Sequence, residues 1–131
     1  MFKIKKTFEV SVSHHLNLDY DSPCKREHGH NLKITVYCAS EELDKNGMVV
    51  DFEEIKKRVH DVIDHRNLND IEDIGFVSLK PGESCEVPPT AERLAEWIFY
   101  RVPHCYRVDV QETKGNVATY EDYTKHIPHD E

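Results

Sequence analysis

Apolar side chains occupy the even positions Phe2, Ile4, Phe8, Val10 and Val12, interrupted only by Lys6. A period of two marks a strand with one buried face. The same parity returns at Leu32, Ile34, Val36 and Cys38, which predicts a second strand from about His28 to Cys38. Asp44–Gly47 is a turn signal, and Met48–Val50 reads as a short strand after it. Asp51 then offers an N-cap, with Glu54 three residues on as in a capping box. Phe52, Ile55, Val59, Val62 and Ile63 recur at helical spacing behind it. Residues 70–89 read as a long loop ending in Pro88-Pro89. Thr90 caps a second helix with Ala91, Leu94, Ala95, Ile98 and Val102 on one face, and Pro103 closes it. A third long strand is expected from about Tyr106 to Thr113. After Lys114-Gly115-Asn116 a last strand covers about Val117–Tyr123, and the tail from His126 is expected to fray.

The order ββααββ predicts an α+β fold, an antiparallel sheet with two helices on one face. The 131 residues amount to one domain, 1–131, large enough to bury a core without disulfide staples. Net charge is −8, which disfavours non-specific nucleic-acid binding, because a phosphate backbone rewards clustered cations. No apolar run approaches the length that spans a bilayer, and MFKIKKTFEV lacks a signal-peptide core, so a cytoplasmic protein is expected. The four cysteines then read as thiols. Cys38 is expected in the core, and Cys85 and Cys105 as loop or helix-end thiols. Lys3, Lys5 and Lys6 read as a solvated face, and Trp97 and Phe99 as packing or subunit contact.

The placement of the histidines carries chemistry. His28 and His30 sit two apart at the start of a strand, so both rings point to one face. Gly29 between them removes bulk from the other face. His14 ends the first strand with the parity of Val10 and Val12. If the first two strands pair, the loop 15–27 brings His14 to the end where His28 and His30 lie, while His15 points away. Three neutral imidazoles on one surface suit zinc, and three protein ligands leave a fourth position open. Cys24, four residues before His28, admits two readings. It is either a fourth ligand closing a structural site, or a thiolate moving protons beside an open one.

Asp64-His65 is either a histidine favoured at a helix C-terminus or a carboxylate-oriented acid–base pair. Glu112 shares the parity of Val108 and Val110. It either reaches solvent at the strand's end or accepts two parallel hydrogen bonds from a ligand such as a pterin or guanine edge. Glu92, in the second helix's first turn, reads as N-terminal charge compensation.

Taken together in order, these blocks resemble the 6-pyruvoyl-tetrahydropterin synthase superfamily and, within it, the bacterial 6-carboxy-5,6,7,8-tetrahydropterin synthase branch. The blocks are Ser13-His14-His15-Leu16, Cys24-x-x-x-His28-Gly29-His30, Met48-Val49-Val50-Asp51-Phe52, Asp64-His65-x-x-Leu68-Asn69-Asp70, Pro89-Thr90-Ala91-Glu92 and Glu112-Thr113. The resemblance implies the tunnelling fold, assembled into an oligomeric barrel that is commonly a dimer of trimers, with sites between subunits. It implies one catalytic Zn2+ per subunit on His14, His28 and His30, with Cys24 as the proton-transferring base. Asp64 and His65 would complete the relay, for a site whose zinc lies in a neighbour. Glu112 would anchor the pterin, with Thr90 beside the substrate. The implied reaction converts 7,8-dihydroneopterin triphosphate to 6-carboxytetrahydropterin, acetaldehyde and triphosphate in queuosine-type deazapurine biosynthesis. Three residues between Cys24 and His28 favour this branch over the pyruvoyl-forming one, which has five. Two other readings stand beside it: a 6-pyruvoyl-tetrahydropterin synthase on the same site, and a non-catalytic zinc-stabilised interaction module. The 70–89 loop looks longer than the bacterial pattern.

Overall fold

The computed structural model describes residues 1–124. Two long strands, β1 (Phe2–His14) and β2 (His28–Ser40), pair antiparallel over their whole length, from Phe2 opposite Ser40 to His14 opposite His28. β6 (Cys105–Thr113) pairs with β2, and β7 (Asn116–Glu121) with β6. A two-residue strand, β3 (Arg66–Asn67), joins the other edge parallel to β1, so the sheet order is β3-β1-β2-β6-β7. The expected α+β architecture is present.

The even positions face the core from Ile4 onward, while Phe2 at the strand's start is exposed. Val10, Val12, Leu32, Ile34, Val36, Cys38, Val108 and Val110 are buried in one cluster with Ile55, Ile63, Leu94, Ile98 and Phe99 of the helices. Lys6, the break in the β1 pattern, lies at the rim of this face with its ammonium 5.8 Å from the Phe52 ring centroid. A lysine tolerates that place because its stem covers apolar surface while its charge stays wet.

The first helix is divided. α1 (Phe52–Arg58) and α2 (His60–Ile63) meet at Val59, whose φ and ψ are −121° and −71°. The apolar stripe survives the break: Ile55, Val59 and Ile63 are all fully buried. Asp51 caps α1 by accepting a hydrogen bond from the Glu53 amide. Thr90 caps α3 (Ala91–Arg101) by accepting from Arg93 N.

Four expectations are corrected. Met48–Val50 is not a strand: the Asp44 carboxylate accepts from the Asn46 and Met48 amides and holds the segment as a turn. The 70–89 segment is not structureless. It carries the hairpin β4 (Phe76–Ser78) and β5 (Ser84–Glu86), closed where Glu83 N donates to Lys80 O around Pro81-Gly82. Pro then Gly with φ +81° suits a tight turn, but strands of three residues with no buried face leave no periodicity to read. Cys105 is neither a loop nor a helix-end thiol. The turn at Pro103-His104 delivers it directly into β6 opposite Cys38, and both side chains are buried. The last strand ends at Glu121, two residues early. The expected fraying from His126 falls outside the described residues. Among those residues no helix is long and apolar enough to cross a membrane.

Candidate active site

The β1–β2 ladder ends on the pair His14 and His28, with Val12 opposite His30 two residues inward. Cross-strand partners lie about 4.5–5.5 Å apart on one face, so register alone brings the three rings together. Their centroids are 4.6, 4.9 and 4.7 Å apart for the pairs 14–28, 14–30 and 28–30. One nitrogen from each lies within 4.8 Å of the others, and the three could hold a metal ion.

Two of the rings are oriented from behind. His14 Nδ1 donates to the carbonyl of Pro89 at 2.9 Å, and His28 Nδ1 donates to that of Arg26 at 2.7 Å. A carbonyl only accepts, so these bonds place the proton on Nδ1 and leave Nε2 as a lone pair. The two Nε2 atoms face one another at 3.1 Å. Burial pushes the His14 ring below the ordinary imidazole range. The Pro89 hydrogen bond and the Glu112 carboxylate oppose that shift, while His28 and His30 reinforce it. His14 is 3% exposed, the one buried polar side chain of the described residues. A neutral imidazole with its second nitrogen bonded to a carbonyl is the arrangement metal-binding histidines adopt.

A cleft of about 290 Å3 opens over the triad, lined also by Leu16, Pro23, Cys24 and Glu112. Cys24 sits in a short 3-10 turn whose start is capped where its amide donates to Ser22 Oγ. Leu16 N donates to Cys24 O, which ties the 15–27 loop across itself. Cys24 is not part of the close group of metal-donor atoms, which is the three histidines alone among the described residues. Glu112 is the extra residue of a β-bulge: Gln111 faces Val117 and Thr113 faces Asn116. Bulges re-aim a side chain, and this one turns Glu112 toward the cleft.

Glu112 also borders a second cleft of about 300 Å3 with Ala91, Glu92, Asn116 and Val117. Glu92 therefore lies beside the site as well as in the first turn of α3, a placement that sequence spacing concealed because it depends on how α3 packs against β6 and β7. Thr90 immediately precedes these residues, its hydroxyl engaged in the α3 cap. Asn116, read from the sequence only as part of the link into the last strand, lines the same cleft.

Asp64 and His65 are placed elsewhere. His65 lines a cleft of about 410 Å3 on the other side of the sheet edge, with Ser11, Ser13, Gly29, Asn31 and Arg66. It is 81% exposed and lies 3.5 Å from Asp64 Oδ2. Its φ of +60° is a conformation that non-glycine residues seldom adopt outside constrained sites. The Ser11 amide, donating to Asp64 Oδ1 at 2.9 Å, holds that carboxyl below its usual range. His15 points away from the triad, as its parity requires, and meets Asn69 instead.

This fold and this site define a class. The sequence model for 6-pyruvoyl tetrahydropterin synthase matches residues 3–123, and the chain belongs to that family. It is 31% identical over 129 residues to the 6-carboxy-5,6,7,8-tetrahydropterin synthase of Bacillus subtilis strain 168, covering 91% of this chain and 84% of the relative. It is 33% identical over 133 aligned positions to the enzyme of the same name from Synechocystis, covering 92% and 93%. Human 6-pyruvoyl tetrahydrobiopterin synthase is 27% identical over 139 aligned positions, covering 90% of each chain. The solved Caenorhabditis elegans 6-pyruvoyl tetrahydropterin synthase superposes with a TM-score of 0.66 at 25% identity, over 92% of this chain and 95% of that one.

Proposed function

We propose that the protein is a zinc-dependent carbon–carbon lyase that converts 7,8-dihydroneopterin triphosphate and water to 6-carboxy-5,6,7,8-tetrahydropterin, acetaldehyde and triphosphate. The observation that carries this reading is the triad beside Cys24: three imidazole nitrogens within 4.8 Å of each other, with the thiol on the same cleft but outside the donor group. Zinc–nitrogen bonds of about 2.0–2.1 Å at a tetrahedral angle set neighbouring nitrogens ~3.3 Å apart, near the 3.1 Å between His14 and His28. His14, His28 and His30 would hold the ion. Bound there, zinc supplies Lewis-acid polarisation of the substrate's side-chain hydroxyls.

The chain's own residues supply the rest. Glu112 accepts two parallel N–H bonds from the pterin edge and fixes the ring, with Thr90 at the start of α3 as a second substrate contact. Cys24 takes and returns protons at the side-chain carbons. Asp64 orients His65, which cycles as acid and base. Neither Asp64 nor His65 lines the Cys24 cleft of its own chain. This supports a shared site in a homo-oligomer, a dimer of trimers in which one copy's dyad serves a neighbour's cleft. The carboxy-forming reaction is favoured over the pyruvoyl-forming one by the three-residue Cys24–His28 spacing and by relatives carrying the carboxy name at 31% and 33% identity. Queuosine-type deazapurine synthesis in the cytoplasm is the corresponding role. Zinc-loaded protein incubated with the triphosphate should release acetaldehyde. A pyruvoyl product without acetaldehyde would assign it to the other branch.

A further inference from the structure

We infer that Asn69 is a positioning residue for the metal ligand His14: its side-chain amide extends the β1 ladder past the strand's last rung. The inference rests on reading the histidine triad as a metal site. β1 pairs with β2 only as far as His14 opposite His28, so a ligand occupies the terminal rung at both strands, where ladders fray. On its outer edge β1 pairs with β3 through Val12–Arg66 and Ser13–Asn67 and then loses that partner too.

Asn69 takes over at His15, two residues beyond that last rung. Its Oδ1 accepts from His15 N at 2.9 Å and its Nδ2 donates to His15 O at 3.0 Å, the two bonds that a neighbouring strand would make. Clamping both polar groups of His15 fixes the chain's direction on leaving His14, and so the direction of the His14 side chain. The ring is held at its other end by Pro89 O.

Asn69 is itself braced. Its amide donates to Asn67 Oδ1 at 2.9 Å. Gly75 packs against its backbone so closely that a Cβ there would fall 2.3 Å from Asn69 Cα. The same segment carries the dyad: Ser11 bonds Asp64 Oδ1 through its amide and His65 N through its carbonyl. Residues 64–69 thus form a splint along β1, from Asp64 at Ser11 to Asn69 at His15.

The test compares the full chain with its Asn69→Ala and Asn69→Asp variants. Zinc affinity is measured by competition with a chromophoric chelator. The visible absorption of the cobalt(II)-substituted protein reports ligand geometry, and melting of the zinc-free protein reports stability separately. Asn69→Ala should bind zinc about 10- to 100-fold more weakly and change the cobalt bands. Asn69→Asp keeps an acceptor for His15 N and loses the donor to His15 O, so it should fall between. Wild-type zinc affinity and cobalt bands in Asn69→Ala, whatever its melting temperature, would overturn the role. If Asn69→Ala does not fold, unchanged affinity in Asn69→Asp does the same. Wild-type protein that takes up no zinc overturns the metal reading, and this role with it.

Discussion

His14 and His28 present their Nε2 lone pairs to each other at 3.1 Å, each ring having committed its Nδ1 proton to a backbone carbonyl. Two acceptors at hydrogen-bond distance repel unless a cation or a proton lies between them. The backbone that shapes the site therefore also creates its demand for positive charge.

Burial of the His14 ring sets a pH dependence of its own in the zinc-free chain. In the folded chain His14 titrates below the ordinary value of 6.5 because it is buried. Between the two values the unfolded chain binds a proton that the folded chain does not, so stability falls as pH drops from 6.5 through this window. Zinc-free wild type should lose urea resistance there, and His14→Gln should lose less over the same range. Equal slopes for both would contradict the assignment.

Cys24→Ala should retain stoichiometric zinc while turnover falls by about 10²- to 10⁴-fold, the range for losing a proton-transfer group. Metal analysis beside acetaldehyde release separates this from a ligand role, in which zinc would be lost too.

Glu112→Gln should raise KM by about 10- to 100-fold, since hydrogen bonds to a charged acceptor contribute about 1.5–3 kcal/mol. Zinc content should not change. Steady-state kinetics with the pterin triphosphate check both.

Subunit sharing predicts complementation. Cys24→Ala and His65→Asn should each be inactive alone. Unfolded together and refolded as a mixture they should recover about one quarter of wild-type activity, the random fraction of sites that draw both intact halves from different copies. No recovery would place the whole site within one chain.

Much of this was legible in the sequence because the β1–β2 pair is so regular. Period-two alternation from Phe2 to Val12 and from Leu32 to Cys38 identified the core face, and continuing the same parity put His14, His28 and His30 on it. Other features depend on packing that no local pattern encodes. The β4–β5 hairpin buries no face, so it has no alternation. Glu92 reaches the cleft beside Glu112 only because α3 lies over β6 and β7. Asn69 sits in a block the sequence flagged, yet its clamp on His15 spans 54 residues of chain.

The two glycines Gly29 and Gly75 behave oppositely. A Cβ at Gly29 would meet only the Val12 carbonyl at 3.7 Å, whereas one at Gly75 would strike the Asn69 backbone. Gly29→Ala should therefore change stability by no more than about 0.5 kcal/mol. Gly75→Ala should cost about 1–3 kcal/mol, as overpacking does. Urea unfolding of the two variants decides.

The most direct test of the central claim is zinc K-edge X-ray absorption on the wild-type protein. An open three-histidine centre predicts a shell of nitrogen and oxygen neighbours at about 2.0–2.1 Å with no sulfur. A sulfur neighbour at about 2.3 Å would mean that Cys24 closes the site, and would contradict the catalytic account.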